Sequence, residues 1–122
     1  MNSRLSSLSN KSCVPCRGGI PPLTEKEYEP LLTEIGEGWK VIDTHHVEKT
    51  FSFNNFSEAL TFTNKVGGIA EKEGHHPDIE LVWVRVKIII WTHKIDGLSE
   101  SDFILAAKIS DICSTVASFS ES

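Results

Sequence analysis

Ile79 to His93 is a run of fifteen residues with strand character and no glycine, asparagine or proline inside it. As one strand, at about 3.3 Å per residue, it would reach roughly 50 Å. That is too long for a domain built from 122 residues. The run must fold back on itself, and its midpoint puts the hairpin near Val84-Arg85-Val86. A chain with this hairpin needs other elements to cover its apolar side.

Those elements are legible on either side. Trp39, Val41 and Asp43 alternate with Lys40 and Ile42; Val47, Lys49, Phe51 and Phe53 alternate with Glu48, Thr50 and Ser52. A period of two marks half-buried strands, with Thr44-His45-His46 as the bend between them and a solvated turn as its default reading. A first helix starts at Thr24, with Glu25 and Glu27 in its first turn and Tyr28, Leu31, Leu32 and Ile35 along its apolar side. Pro30 falls within it, and Gly36 and Gly38 end it. Asn55 to about Glu73 is the clearest helix: Asn55 and Glu58 make a capping-box pattern, Ala59, Phe62, Val66, Ile69 and Ala70 follow helical spacing, and Gly74 stops it. A last helix opens on the Ser99-x-x-Asp102 cap, with Phe103, Ala106, Ile109, Cys113, Val116 and Ala117 as its stripe. The order α-β-β-α-β-β-α predicts an α+β fold, a four-stranded antiparallel sheet with three helices packed on one face. The β-prone Val86 to Trp91 segment is an aggregation hazard unless paired. Trp39 and Trp83 read as core or wall residues.

Residues 1–22, rich in Ser, Gly and Pro, read as a flexible N-terminal tail ahead of a folded domain at 23–122. Hydrophobic residues make up 39% of the chain and charged residues 24%, the balance of one ordinary globular domain. A formal net charge of -5 argues against a nucleic-acid partner, whose phosphates need a basic stripe. The longest apolar run, Ile88-Ile89-Ile90-Trp91, is far short of a membrane span, and the first twelve residues lack a secretory signal. Three cysteines cannot form a complete disulfide set, so a cytoplasmic location is expected. Cys13-x-x-Cys16 invites a metal or redox reading, but a zinc site needs two further ligands; His45 and His46 could complete it, yet nothing in the spacing requires that, which favours an inert tail or a partner contact.

The densest chemistry is Glu71-Lys72-Glu73-Gly74-His75-His76-Pro77, with Trp91-Thr92-His93 downstream. His75 and His76 follow a helix end, and Pro77 stiffens the exit into a strand. Pro77 and His93 lie equally far from Arg85, so the hairpin returns His93 to the same end. Three converging histidines leave three readings open: inert loop residues, a three-histidine metal site, or metal-free acid/base catalysis. The His-His-Pro arrangement lacks the i, i+4 histidine pair of a helical zinc motif.

The string Glu71-x3-His75-His76-Pro77, then Trp83, Thr92-His93 and Gly97-Leu98-Ser99-x-x-Asp102, resembles the pterin-4a-carbinolamine dehydratase family. The likeness runs from about Leu23 to Val116 and includes Gly38-Trp39 and Phe51-x-Phe53-x-x-Phe56. The resemblance implies a dehydratase that removes water from 4a-hydroxytetrahydropterin to give quinonoid dihydropterin in tetrahydropterin recycling, with no cofactor and no metal. It implies His75 and His93 as the acid/base pair and His76 as a pterin-binding group that shares their work. Gly74, Pro77, Trp91, Thr92 and Lys94 would contact the ring, and Glu71 and Asp102 would support the imidazoles. For Asp102 the helix cap is also a sufficient explanation. The resemblance further implies a homodimer or homotetramer. The rival it carries is a non-catalytic dimerisation, coactivator or assembly protein of the same fold, which would not need all three histidines.

Overall fold

The structure, a computed structural model, describes residues 8–13 and 19–116. In chain order the elements are helix α1 (Glu25–Ile35), strands β1 (Lys40–Ile42) and β2 (His46–Ser52), helix α2 (Phe56–Glu73), strands β3 (Asp78–Val82) and β4 (Arg85–Ile90), a 3-10 turn (His93–Ile95) and helix α3 (Glu100–Val116). The strands form one sheet in the order β1-β2-β4-β3, every neighbouring pair antiparallel. This is the α+β arrangement expected.

Strand alternation explains how the sheet covers its core. Val47, Phe51, Val86, Ile88 and Ile90 point to one face and are buried. They meet Phe62 and Val66 of α2 and Phe103, Leu105 and Ile109 of α3 in a single cluster. Glu48, Thr50, Glu80, Arg85 and Lys87 fall on the opposite register positions, so that face is polar. Each fully buried aliphatic or phenyl side chain contributes about 1.5–3 kcal/mol relative to exposure. Trp39 is buried and its indole N–H donates to Ser110 Oγ at 2.9 Å.

The break in the long run comes slightly earlier than expected. Val82 pairs with Arg85, so Trp83 and Val84 form the turn and Arg85 already belongs to β4. Trp83 adopts φ 51°. Neither residue is a usual turn former, because pairing on both sides of the run decides the fold-back rather than local propensity. Trp83 is correspondingly 74% exposed, not a core or wall residue. The β-prone Val86 to Ile90 segment is an interior strand, flanked by β2 and β3, and the edge strands are β1 and β3 instead.

In the first hairpin the turn spans Ile42 to His45, closed by His45 N–H donating to Ile42 C=O at 2.9 Å. Asp43 and Thr44 have φ 54° and 55°, the type I′ pattern, so His46 opens β2 rather than belonging to the bend. Asn55 caps α2 by accepting from Glu58 N at 2.8 Å, while Glu58 accepts from Asn54 N. Pro30 lies inside α1, which continues through it to Ile35.

Residues 8–13, which composition assigns to the tail, pack on the domain. Leu8 is 2% exposed within the main core. Lys108 donates to Ser9 C=O at 2.7 Å, and Cys13 N–H donates to Glu73 Oε1 at 2.9 Å. Cys16 and Ala117 lie outside the described residues. Among the described residues no helix is long and apolar enough to cross a membrane.

Candidate active site

α2 ends two residues before the first histidine of the pair. Gly74 takes the left-handed conformation, φ 66°, that L side chains avoid. His75 N–H then bonds back to Ala70 C=O at 3.2 Å. This cap swings His75 off the helix axis toward the first turn of α3, where Asp102 waits.

Asp102 is fully buried and uses both carboxylate oxygens. Oδ1 lies 2.6 Å from His75 Nε2. Oδ2 accepts from Thr92 Oγ1 at 2.9 Å and from Ser99 N at 2.7 Å. Thr92 Oγ1 is also 2.8 Å from Ser99 Oγ. As a carboxylate Asp102 only accepts, so His75 carries hydrogen on Nε2, and in the neutral ring Nδ1 is the proton acceptor. The acid sits at the N-terminal end of α3, where the helix dipole favours negative charge. It is thus both the helix cap and the anchor of His75.

Thr92 brings in the other arm. Thr92 and Gly97 bridge antiparallel, closing the loop that holds His93, and Asp96 N–H donates to His93 C=O at 3.1 Å. A Cβ on Gly97 would meet Pro22 Cβ at 2.6 Å, so only glycine allows residues 22–23 to lie against this loop. His93 is exposed, with its ring 4.4 Å from that of Trp91. The expected residues therefore gather at one end of the sheet: His75 and Thr92 share one carboxylate, and His93 follows Thr92 in the chain. His76 points outward instead and pairs with Glu71 at 2.8 Å, both side chains more exposed than buried. Gly74 and Lys94 are exposed, while Pro77 and Trp91 are half-buried. Among the described residues no group of three or more His, Cys, Asp or Glu side chains is arranged to hold a metal ion.

Two further histidines join this end of the molecule. The register Val47↔Ile90 places His46 beside Trp91. The His45 and His46 rings lie 5.2 and 6.1 Å from the Trp91 ring, and His45 Nε2 is 2.7 Å from Asp96 Oδ1. They are half-buried, not a solvated turn. The β2–β4 pairing that puts them there joins segments some forty residues apart, which no local pattern reveals.

The profile of the pterin 4 alpha carbinolamine dehydratase family matches residues 21–112. The chain belongs to that family. It is 54% identical over 105 residues to a protein of Alkaliphilus metalliredigens named for pterin-4-alpha-carbinolamine dehydratase, covering 86% of this chain and 95% of that protein. A like-named protein of Rubrobacter xylanophilus is 53% identical over 105 residues, covering 86% and 97%. Among solved structures, a transcriptional coactivator/pterin dehydratase from Brucella melitensis aligns with a TM-score of 0.71 at 32% identity, over 75% of this chain and 98% of that one. A pterin dehydratase-like protein identified as a RuBisCO assembly factor in the alpha-carboxysome aligns with a TM-score of 0.56 at 18% identity, over 65% and 93%. At that identity the second likeness shows the fold alone. The family is one of dehydratases, enzymes of the hydro-lyase class, and every histidine of the His75-His76-Pro77 and Thr92-His93 motifs stands within the matched span.

Proposed function

We propose that this protein dehydrates 4a-hydroxytetrahydropterin by histidine acid/base catalysis. The reaction needs little machinery. The substrate carries a hydroxyl on C4a beside a nitrogen, N5. The N5 lone pair forms the C4a=N5 double bond as the C4a–O bond breaks, the departing oxygen takes a proton to leave as water, and N5 gives up its own. The product is the quinonoid dihydropterin. Two imidazoles suit the two proton transfers near neutral pH, each contributing typically about 10²–10⁴-fold.

The observation that carries this reading is the 2.6 Å bond between His75 Nε2 and the buried Asp102. A surface histidine without a task has no need of a desolvated carboxylate. Held there, His75 has a fixed orientation and directs Nδ1 chemistry to N5. His93, exposed beside Trp91, serves as the acid toward the 4a-hydroxyl, and Trp91 offers a wall to the flat bicycle. His76 and its partner Glu71 form the outer rim. The substrate is the product of an aromatic amino-acid hydroxylase, so the enzyme acts in tetrahydropterin recycling, in the cytoplasm.

A homo-oligomer fits the open β3 edge, which ends in exposed Val82 and Trp83. The retained histidines favour the enzyme over a purely structural assembly role.

The reading is tested by generating the carbinolamine in place with a hydroxylase and following its decay. The protein should accelerate decay well above the spontaneous rate, with no added metal. Decay at the spontaneous rate at micromolar protein contradicts the proposal.

A further inference from the structure

We infer that His45, on the first hairpin turn, is a positioning residue for His93. The inference rests on the catalytic reading of His93 given above and adds a residue to it.

His45 reaches His93 by two separate routes. The first runs through Asp96. His45 Nε2 is 2.7 Å from Asp96 Oδ1, and the Asp96 amide donates to the His93 carbonyl at 3.1 Å. Asp96 itself sits at φ 50°, a left-handed position that aspartate tolerates better than most side chains, and its carboxylate is held by this contact. The second route runs through Trp91. The His45 ring lies 5.2 Å from the indole at a 42° tilt, and the His93 ring lies 4.4 Å from the same indole. The hairpin turn is therefore linked to the His93 backbone through Asp96 and to the His93 ring through Trp91.

His46 steadies His45 in turn. The two Nδ1 atoms are 3.1 Å apart, so one ring donates and the other accepts, and the rings meet edge to face at 5.3 Å. His46 is itself flanked by Glu48 at 3.6 Å. The type I′ turn at Asp43 and Thr44 fixes where His45 starts. This chain of contacts ties the 92–97 loop to the hairpin turn, beside the loop's own Thr92–Gly97 bridge and the Thr92 bond to Asp102.

The Asp96 side chain is 87% exposed, so its bond to His45 adds little to stability. Its effect is on geometry, where a displacement of about 1 Å in a catalytic group lowers turnover by as much as about 10²-fold.

The test compares wild type with His45→Ala, Asp96→Asn, His45→Gln and His93→Ala. Turnover is measured on carbinolamine generated in place, and the His93 Cε1–Hε1 signal is followed by NMR in ¹³C-histidine protein. His45→Ala should lower kcat about tenfold with KM little changed, and should shift and broaden the His93 signal. His45→Gln, which still donates to Asp96, should recover part of kcat. Asp96→Asn, which keeps an acceptor in place, should be the mildest. If His45→Ala leaves both kcat and the His93 signal unchanged while only the melting temperature falls, the role is structural and the inference is overturned. If His93→Ala turns over like wild type, the catalytic reading itself fails and takes the inference with it. A silent His45→Ala beside a dead His93→Ala removes the inference alone.

Discussion

Asp102 binds His75 through one carboxylate oxygen, at 2.6 Å, and Thr92 through the other, at 2.9 Å. One buried acid thereby ties the end of α2 to the end of β4. Replacing it separates two effects. Asp102→Asn offers an amide donor where the acid only accepted. It cannot accept simultaneously from Thr92, the Ser99 amide and His75, and it frees His75 to take the other tautomer. Activity should fall by about 10²–10⁴-fold while the chain still folds. Asp102→Ala leaves several buried donors unmatched, at about 1–3 kcal/mol each, and should also lower the melting temperature. Steady-state kinetics and thermal melts on both variants check this.

Gly74 sets the direction in which His75 leaves the helix. A Cβ there would meet no atom within 4 Å, so Gly74→Ala is penalised by backbone conformation alone at φ 66°. The expected loss is about 1–2 kcal/mol, read by denaturant titration. Gly67, helical and equally unobstructed, is the control. Gly67→Ala should stabilise the protein by somewhat under about 1 kcal/mol.

These two sites also mark what the sequence made legible. The Asn55-x-x-Glu58 box, the Gly74 stop and the Ser99-x-x-Asp102 cap are local signals, and each element begins or ends where they place it. The hairpin predicts that His93 returns to the end of the sheet where His75 stands, whereas the bonds that tie His75 and Thr92 to Asp102 depend on how the last helix packs. The turn at Trp83-Val84 comes slightly before the expected Val84-Arg85-Val86 because nothing local marks it; cross-strand pairing with β2 and β3 determines it. The half-burial of His45 and His46 is not legible locally, because their partner, Trp91, is a tertiary neighbour. Likewise, isolated leucines in a Ser-rich segment give no hint that Leu8 enters the core, since its neighbours there come from the folded domain.

Cys13 provides a pH-dependent check on the docking of residues 8–13. Burial, reinforced by the negative charge of Glu73, raises its thiol from the ordinary 9.0 to about 12. At pH 8 the thiol should react with iodoacetamide far more slowly than in denaturant, because the thiolate is the nucleophile. The sign for stability follows from proton binding. Between pH 9 and 12 the unfolded chain gives up the proton and the folded chain keeps it, so this contribution is full below pH 9 and is lost as pH rises toward about 12. Cys13→Ala should flatten that part of the stability profile, measured by denaturation from pH 8.5 upward.

Trp83 combines 74% exposure with a positive φ of 51° at the turn beside the open β3 edge. Trp83→Gly removes the apolar surface and relaxes the turn together. Light scattering should then report a smaller species at micromolar concentration, with the monomer fold at least as stable. A species of unchanged size would contradict a contact between copies at the β3 edge.

Turnover by His75→Ala and His93→Ala, each measured singly on carbinolamine generated in place, tests the assignment of the two imidazoles most directly. Each variant should remain folded by circular dichroism and lose about 10²–10⁴-fold in kcat, with His76→Ala weakening KM more than kcat. Wild-type rates in both His75→Ala and His93→Ala would contradict acid/base catalysis by this pair.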